Sequence, residues 1–230
     1  MQGKKLTLVL DSSSSPLVAA VADDKRIFSA KRKGIKQEKL LFPLLNKLLA
    51  EAGATLQDVT NIFIVRGPGR FTGIRISLTF ASMMQYLGNC DVRGATLFEV
   101  LRFQAEHSRA FEKWKQKNPS GAIGVVLHAF REEYFLQIFA PEYPAPLWLS
   151  REELLARLEG CALPLYLVGT DKNNGPLAGL TGDKFTLAPH KDCVVRPSSL
   201  VQMGADDKWR INALEPLYLK PARFELITPK

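Results

Sequence analysis

From Asn61 the chain runs through an apolar strand-like stretch, NIFIV, straight into the loop GPGRFTGIR (Gly67 to Arg75). A segment apolar on nearly all sides, Thr72 to Leu87, follows. A buried strand, a glycine loop and a helix in that order restrict the chain to an α/β architecture. Gly67, Gly69 and Gly73 permit positive φ or close backbone approach, and Thr72 is placed to cap the helix that follows. Backbone donors then converge at a helix start beside Arg66, Arg70 and Arg75, an arrangement that welcomes an anion. The loop lacks the Lys-Ser/Thr ending of a Walker A loop and the spacing of a dinucleotide fingerprint. Its chemistry fits a ligand loop and a structural turn equally well.

The surrounding sequence supplies the other elements. LTLVL (Leu6 to Leu10), LVAAVA (Leu17 to Ala22) and RIFSAKR (Arg26 to Arg32) are three consecutive strands, joined by the turn chemistry of DSSSSP and DD. From Glu38 to Ala52, leucines recur at three-to-four spacing, which predicts an amphipathic helix stopped by Gly53. Pro43 fits only near a first turn, so this helix is expected to begin near Lys39. A short strand near Val92 and a helix from Thr96 to Glu106 come next, and EHSRAFEKWKQKNPSG reads as a polar connection to a second lobe. That lobe opens with the hairpin AIGVVLHA and EEYFLQIFA, and continues with SREELLARL, whose Ser150 and Glu153 form a capping box. PLYLVG (Pro164 to Gly169) is a buried strand and PSSLVQMGADDKW (Pro197 to Trp209) a short helix. The expected division is an N-terminal lobe over residues 1–108 and a smaller lobe over 109–230.

With 46% hydrophobic and 23% charged residues the chain has the composition of a folded domain. It has no apolar run near the roughly 18 residues a bilayer requires, and MQGKKLTLVLDSSSS turns polar too early for a secretory leader, so a cytoplasmic protein is expected. Cys90, Cys161 and Cys193 are far apart, and His107, His128 and His190 are isolated from one another, so no metal site is predicted. Most of the formal net charge of +8 lies between Lys25 and Lys39. Lys25, Arg26, Lys31, Arg32, Lys33, Lys36 and Lys39 face only Glu38 there, a net of +6. Such a segment attracts phosphate backbones, and Lys31, Arg32, Lys33 and Lys36 are its candidate nucleic-acid contacts. A solvated hairpin and helix start would look the same.

GPGRFTGIR closely resembles the GPGSFTGLRIG signature of the TsaB family, called YeaZ in bacteria. In the same order, LDSSSSPLVAAV resembles the family's opening Asp-Thr-Ser hairpin, KLLFPLLNKLLAEAG its first helix, and TLFEVL the entry to its third. HAFREEYFLQIF and LEPLYLKPARF are similar to its later hairpin and closing segment. Arg70 stands where the family has Ser, His128 where it has Asp, and Lys220 where it commonly has Arg. The resemblance implies a two-lobed, actin-like (ASKHA, RNase H-like) α/β fold. It also implies an accessory rather than catalytic role, in which the chain binds a TsaD-like ATP-using subunit during threonylcarbamoylation of adenosine 37 in tRNA. Mg-ATP is then expected in that partner and no cofactor in this chain. A TsaE-like ATPase would join a larger complex, tRNA would be met through the complex, and the chain alone would be a homodimer. The interface implied uses the first two helices: Leu41, Leu44, Leu45 and Leu48, then Phe71, Thr72, Ile74, Arg75, Met83 and Met84.

Two alternatives come from the residues themselves. A stand-alone actin-like ATPase or kinase would use Asp11, Ser12 and Ser13 with Gly67, Gly69 and Arg70 as nucleotide or anion contacts, and VGTD (Val168 to Asp171) as a faint second phosphate loop. No glycine follows Asp11, no adenosine-binding Gly-Gly loop is evident, and no serine lies in a GxSxG elbow. The other alternative is a tRNA-binding module built on the basic segment 25–39.

Overall fold

The computed structural model describes residues 5–34, 36–88, 90–169, 177 and 184–220. The chain forms two compact units, one from Met1–Val100 with Val195–Leu217, the other from Leu101–Val194 with Tyr218–Lys230. The first crossing therefore falls near residue 100, and a later segment returns to the first unit. Neighbours in sequence alone could not reveal that return.

In the first unit a five-stranded sheet has the order β3-β2-β1-β4-β5. Strands β1 (Leu6–Asp11), β2 (Leu17–Ala22) and β3 (Ile27–Arg32) form an antiparallel meander, because their connections are short. Strands β4 (Val59–Val65) and β5 (Asp91–Ala95) run parallel to β1, and each is reached through a helix, as a parallel crossover requires. These helices are α1 (Gln37–Ala52) and α2 (Phe71–Leu87). Leu8, Leu10, Ile62 and Ile64 of the sheet pack with Leu41, Leu45, Leu48 and Ile74 of the helices in one buried cluster. The opposite sheet face receives α6 (Pro197–Ala205), where a methyl group on Gly204 would press at 3.0 Å on Phe63 and Thr7. With both faces covered, β2 is buried at every residue, which explains its continuous apolar sequence.

Helix α1 begins at Gln37, earlier than the sequence reading places it, and contains Pro43. Pro43 sits on the exposed side, so its ring does not disturb the leucine face below. Gly53 ends the helix in the left-handed conformation at φ 61°, and its N–H reaches the Ala50 carbonyl at 3.0 Å.

The second unit repeats the plan. Strands β6 (Ala122–Phe130), β7 (Glu133–Ile138) and β8 (Leu147–Ser150) form an antiparallel meander, with β9 (Leu165–Gly169) and β10 (Phe185–Leu187) parallel to β6 on its other side. Counted from its first strand, each sheet has the same 3-2-1-4-5 order. Strands β8 and β10 were not expected: they are short and only partly buried, and pairing with β7 and β9 is what makes them strands. The capping box of α5 (Arg151–Glu159) is present, with Ser150 Oγ accepting from the Glu153 N–H at 3.2 Å.

The stretch expected to be a polar connection holds a helix. After α3 (Leu97–Glu106), α4 (Arg109–Lys117) starts at Ser108, whose hydroxyl accepts from the Phe111 N–H at 3.1 Å. Phe111 and Trp114, one turn apart, each meet the Tyr166 ring at 5.3 Å. Two aromatic residues among many charges thus provide a narrow apolar stripe, enough to fix a helix whose other faces are wet. Asp171 and residues 221–224 lie outside the described residues.

Candidate functional site

The glycine loop leaves β4 and is held from several sides. Arg66 donates its N–H to Ala95 at 2.9 Å and accepts from the Leu217 N–H at 2.8 Å, while the Gly67 carbonyl accepts from the Leu97 N–H at 2.7 Å. Gly67 has φ 107° and faces the Leu217 carbonyl, so only glycine suits it. The other two glycines serve close approach. A methyl group on Gly69 would collide with the main chain of Ser13, and one on Gly73 with that of Ser12.

What these glycines admit is therefore the chain's own turn after β1. Arg70 donates its N–H to the Ser13 carbonyl at 2.7 Å. Ser12 donates through its hydroxyl to the Gly73 carbonyl at 2.6 Å and also meets the Ser77 hydroxyl. From the start of α1, the buried Gln37 donates Nε2 to the Ser14 carbonyl at 2.8 Å. The first turn of each helix thus grips the serine turn.

Asp11 closes the arrangement from within. It is fully buried, and its Oδ1 accepts from the Ser13 N–H at 2.9 Å and the Ser13 hydroxyl at 2.6 Å, while Oδ2 accepts from the Ser14 hydroxyl at 3.2 Å. Burial pushes its carboxyl above the ordinary range, against these hydrogen bonds and the charge of Lys31. The aspartate organises a turn, a role the residue type performs in many loops. Asp11, Ser12 and Ser13 are buried, whereas Gly69 and Arg70 are at the surface.

The expected cap is not where Thr72 is. Helix α2 begins at Phe71 with Arg70 as N-cap, without a side-chain cap hydrogen bond, and Thr72 lies exposed in the first turn. The Ser13 contact takes the place of side-chain capping by fixing the backbone at Arg70. Since the loop uses Arg70 through its backbone, the larger side chain fits at this position. His128 lies at the β6–β7 hairpin with Nε2 2.7 Å from the Arg131 carbonyl, and Lys220 pairs with Glu133 at 2.5 Å.

The helix residues expected at a partner interface separate into two sets. Leu41, Leu44, Leu45, Leu48, Ile74 and Met84 are buried in the first unit's own core, because the leucine face covers the sheet. Phe71, Thr72 and Arg75 are exposed and Met83 is half-buried, with the Arg75 guanidinium 3.9 Å from the centre of the Phe71 ring. The sequence reading missed three outward apolar residues. Fractional exposures are 48% for Phe42, 51% for Phe71, 89% for Tyr86 and 72% for Leu87, a rim of separate apolar anchors on the outward faces of α1 and α2, with Phe71 at the start of α2 and Tyr86 and Leu87 at its end. Phe42 meets the buried Phe80 ring edge-on at 6.0 Å, which ties the two helices together at that rim. The available signal was Phe42 lying off the leucine stripe, a position that core packing does not require.

Among the basic residues, Lys31 reaches the Val195 carbonyl with Nζ at 2.7 Å, while Arg32, Lys33 and Lys36 are exposed. Among the described residues no group of three or more His, Cys, Asp or Glu side chains is placed to hold a metal ion. No described helix is long and apolar enough to cross a membrane.

Two units with the same 3-2-1-4-5 sheet, in a chain whose glycine loop follows the fourth strand, make this an actin-like α/β protein. The family model described as "TsaD: tRNA N6-adenosine threonylcarbamoyltransferase" matches residues 35–112. The tRNA threonylcarbamoyladenosine biosynthesis protein TsaB of Bacillus subtilis (strain 168) is 23% identical over 228 residues, 95% of each chain. TsaB of Buchnera aphidicola subsp. Schizaphis graminum is 29% identical over 113 residues, 49% of this chain and about half (51%) of the relative. For TsaB of Haemophilus influenzae the match is 28% identical over 100 residues, 44% of this chain and 39% of the relative. In three dimensions the chain superposes on YeaZ from Pseudomonas aeruginosa with a TM-score of 0.65 at 18% identity, covering 94% of this chain and 100% of that one. In sequence and in fold the chain is thus similar to the TsaB and YeaZ proteins.

Proposed function

We propose that this protein serves threonylcarbamoyladenosine biosynthesis on tRNA as a non-catalytic partner subunit that binds a TsaD-like, ATP-using enzyme. The observation that carries the reading is the apolar rim of Phe42, Phe71, Tyr86 and Leu87 on two adjacent helices. Exposed aromatic side chains of this kind supply the anchors of protein interfaces. The names of the curated relatives supply the pathway.

The chemistry of the loop agrees with this. The Arg70 N–H, which could have met a phosphate, bonds Ser13, and Asp11 has its hydrogen bonds within its own turn. The loop acts as the joint that sets the direction of α2, and the rim is carried on the outer side of that helix and of α1. In this reading Mg-ATP belongs to the partner, a TsaE-like ATPase joins the larger assembly, and without a partner the rim pairs two copies of the chain in the cytoplasm. The interface residues are then Phe71, Thr72, Arg75 and Met83 together with Phe42, Tyr86 and Leu87.

Copurification with the TsaD-like protein of the same cell, followed by threonylcarbamoylation of tRNA with and without this chain, tests the reading. Stable assembly and a reaction dependent on the chain are expected. A chain that stays monomeric beside that protein at micromolar concentration, or a reaction that runs equally well without it, would overturn it. Mg-ATP should produce no heat of binding with the isolated chain.

A further inference from the structure

The basic run from Lys25 to Lys39 has no part in the loop or the rim. In the fold its described residues lie on β3, the edge strand of its sheet, at positions 33, 34 and 36, and in the first turn of α1. Some of its cations are occupied. Arg26 pairs with Asp23 at 3.4 Å and lies over the Phe28 ring at 5.1 Å, and Lys31 holds the Val195 carbonyl. Lys25, Arg32, Lys33, Lys36 and Lys39 are exposed, and none forms an ion pair among the described residues.

Stability does not account for this charge. One or two lysines suffice to keep an edge strand from pairing with another sheet. Lys36 and Lys39 stand at the start of α1, where positive charge opposes the helix dipole and only Glu38 of the same turn favours it. Like charges so close along the chain also repel one another. The arrangement therefore costs folding energy, and a polyanion would recover it. The half-buried Phe28 is covered by Arg26, so the margin offers charge without an exposed stacking platform. That combination suits a phosphate backbone and gives no readout of bases.

We infer that Arg32, Lys33 and Lys36, with Lys25 and Lys39 beside them, contact the phosphate backbone of tRNA. The choice of tRNA among polyanions rests on the function proposed above. Lys31 is set apart from these contacts, because its ammonium group holds the Val195 carbonyl.

The test is binding of unfractionated tRNA to the full-length protein alone, between about 50 and 200 mM salt, the range over which phosphate contacts lose most of their strength. Wild type should bind with affinity falling linearly on a log–log plot. R32Q/K33Q/K36Q should lower the slope by about 2 to 3 and the affinity at low salt by ~10-fold or more. K33Q/K36Q, which leaves β3 untouched, should move both in the same direction by less. A control with the same charge loss on α4, R109Q/K113Q/K117Q, should stay within about twofold of wild type, as expected if local charge rather than total charge governs binding. No binding by wild type, an unchanged triple variant, or an equal loss in the control overturns the inference. So does loss of binding to phosphatidylserine vesicles with tRNA binding intact. Assembly with the TsaD-like protein should be the same for wild type and the triple variant. If assembly fails for both while tRNA binding still depends on these residues, the partner reading falls and this one stands.

Discussion

Ser12 donates its hydroxyl to the carbonyl oxygen of Gly73 at 2.6 Å, although the two residues are separated by sixty-one positions in the chain. The contact is possible only because Gly73 has no side chain, so the turn after β1 lies directly against the first turn of α2. The glycines of the loop thus join two parts of the same unit.

Gly73→Ala measures how tight that joint is. At an open helical position the change would stabilise by about 1 kcal/mol. Here the methyl group meets the Ser12 carbonyl, and overpacking of this kind costs ~1–3 kcal/mol. Urea denaturation should show a net loss of about 2 kcal/mol, since the buried Ser12 bonds are disturbed as well. Gly88→Ala, with open space around it, should stay within ~0.5 kcal/mol of wild type. A stabilised Gly73→Ala protein would mean that the turn and the helix are not packed as described.

Asp11 makes stability depend on pH in a defined direction. Burial raises its carboxyl above the ordinary value of 3.8, so the folded protein holds that proton more tightly than the unfolded chain. The resulting stabilisation is complete below the unfolded value and is lost as pH rises through the folded one. Asp11→Asn lacks this dependence. The stability of wild type minus that of Asp11→Asn, from urea midpoints at a series of pH values, should therefore fall from about pH 4 upward and then level off. A difference that grows with pH would show instead that hydrogen bonding to the carboxylate outweighs burial.

The two faces of α1 and α2 should respond differently to substitution. Leu45→Ala, in the core, should cost ~2–5 kcal/mol of folding stability. Tyr86→Glu and Leu87→Lys, at the rim, should change stability by less than ~0.5 kcal/mol. If the rim is the docking face, each should weaken assembly with the TsaD-like protein by about 30-fold or more, the effect of an interface hot spot. Analytical ultracentrifugation of the mixtures reads this directly, and undiminished assembly would move the interface elsewhere.

Helix α4 depends on two residues beyond the reach of its charges. Trp114→Ala removes the ring that packs on Tyr166 and should cost ~3–5 kcal/mol. Ser108→Ala removes only the cap and should cost about 1 kcal/mol. Thermal melts that rank them in the reverse order would contradict the aromatic cluster.

Several parts of this protein were legible in local sequence. The meander β1–β2–β3, the strand–loop–helix at Gly67, the glycine stop at Gly53 and the capping box at Ser150 all depend on neighbours within a few positions, where turn chemistry and periodicity act. The motif order also carried the resemblance to TsaB and YeaZ proteins, and with it the actin-like fold. Helix α4 and the strands β8 and β10 were not legible, because their formation depends on contacts with Tyr166, β7 and β9.

The sequence by itself determined that the chain alternates strands and helices around a glycine loop, and that six of its eight net charges fall in one short segment. Only the tertiary structure decided what those features face. The family resemblance assigned the leucine stripe of α1 to a partner interface, whereas periodicity records only which residues share a face and not what covers it. The sheet covers it, so the outward apolar character belongs to Phe42, Phe71, Tyr86 and Leu87. The glycine loop followed the same logic. Its backbone could approach something closely, and the fold supplied the serine turn of β1 as that neighbour.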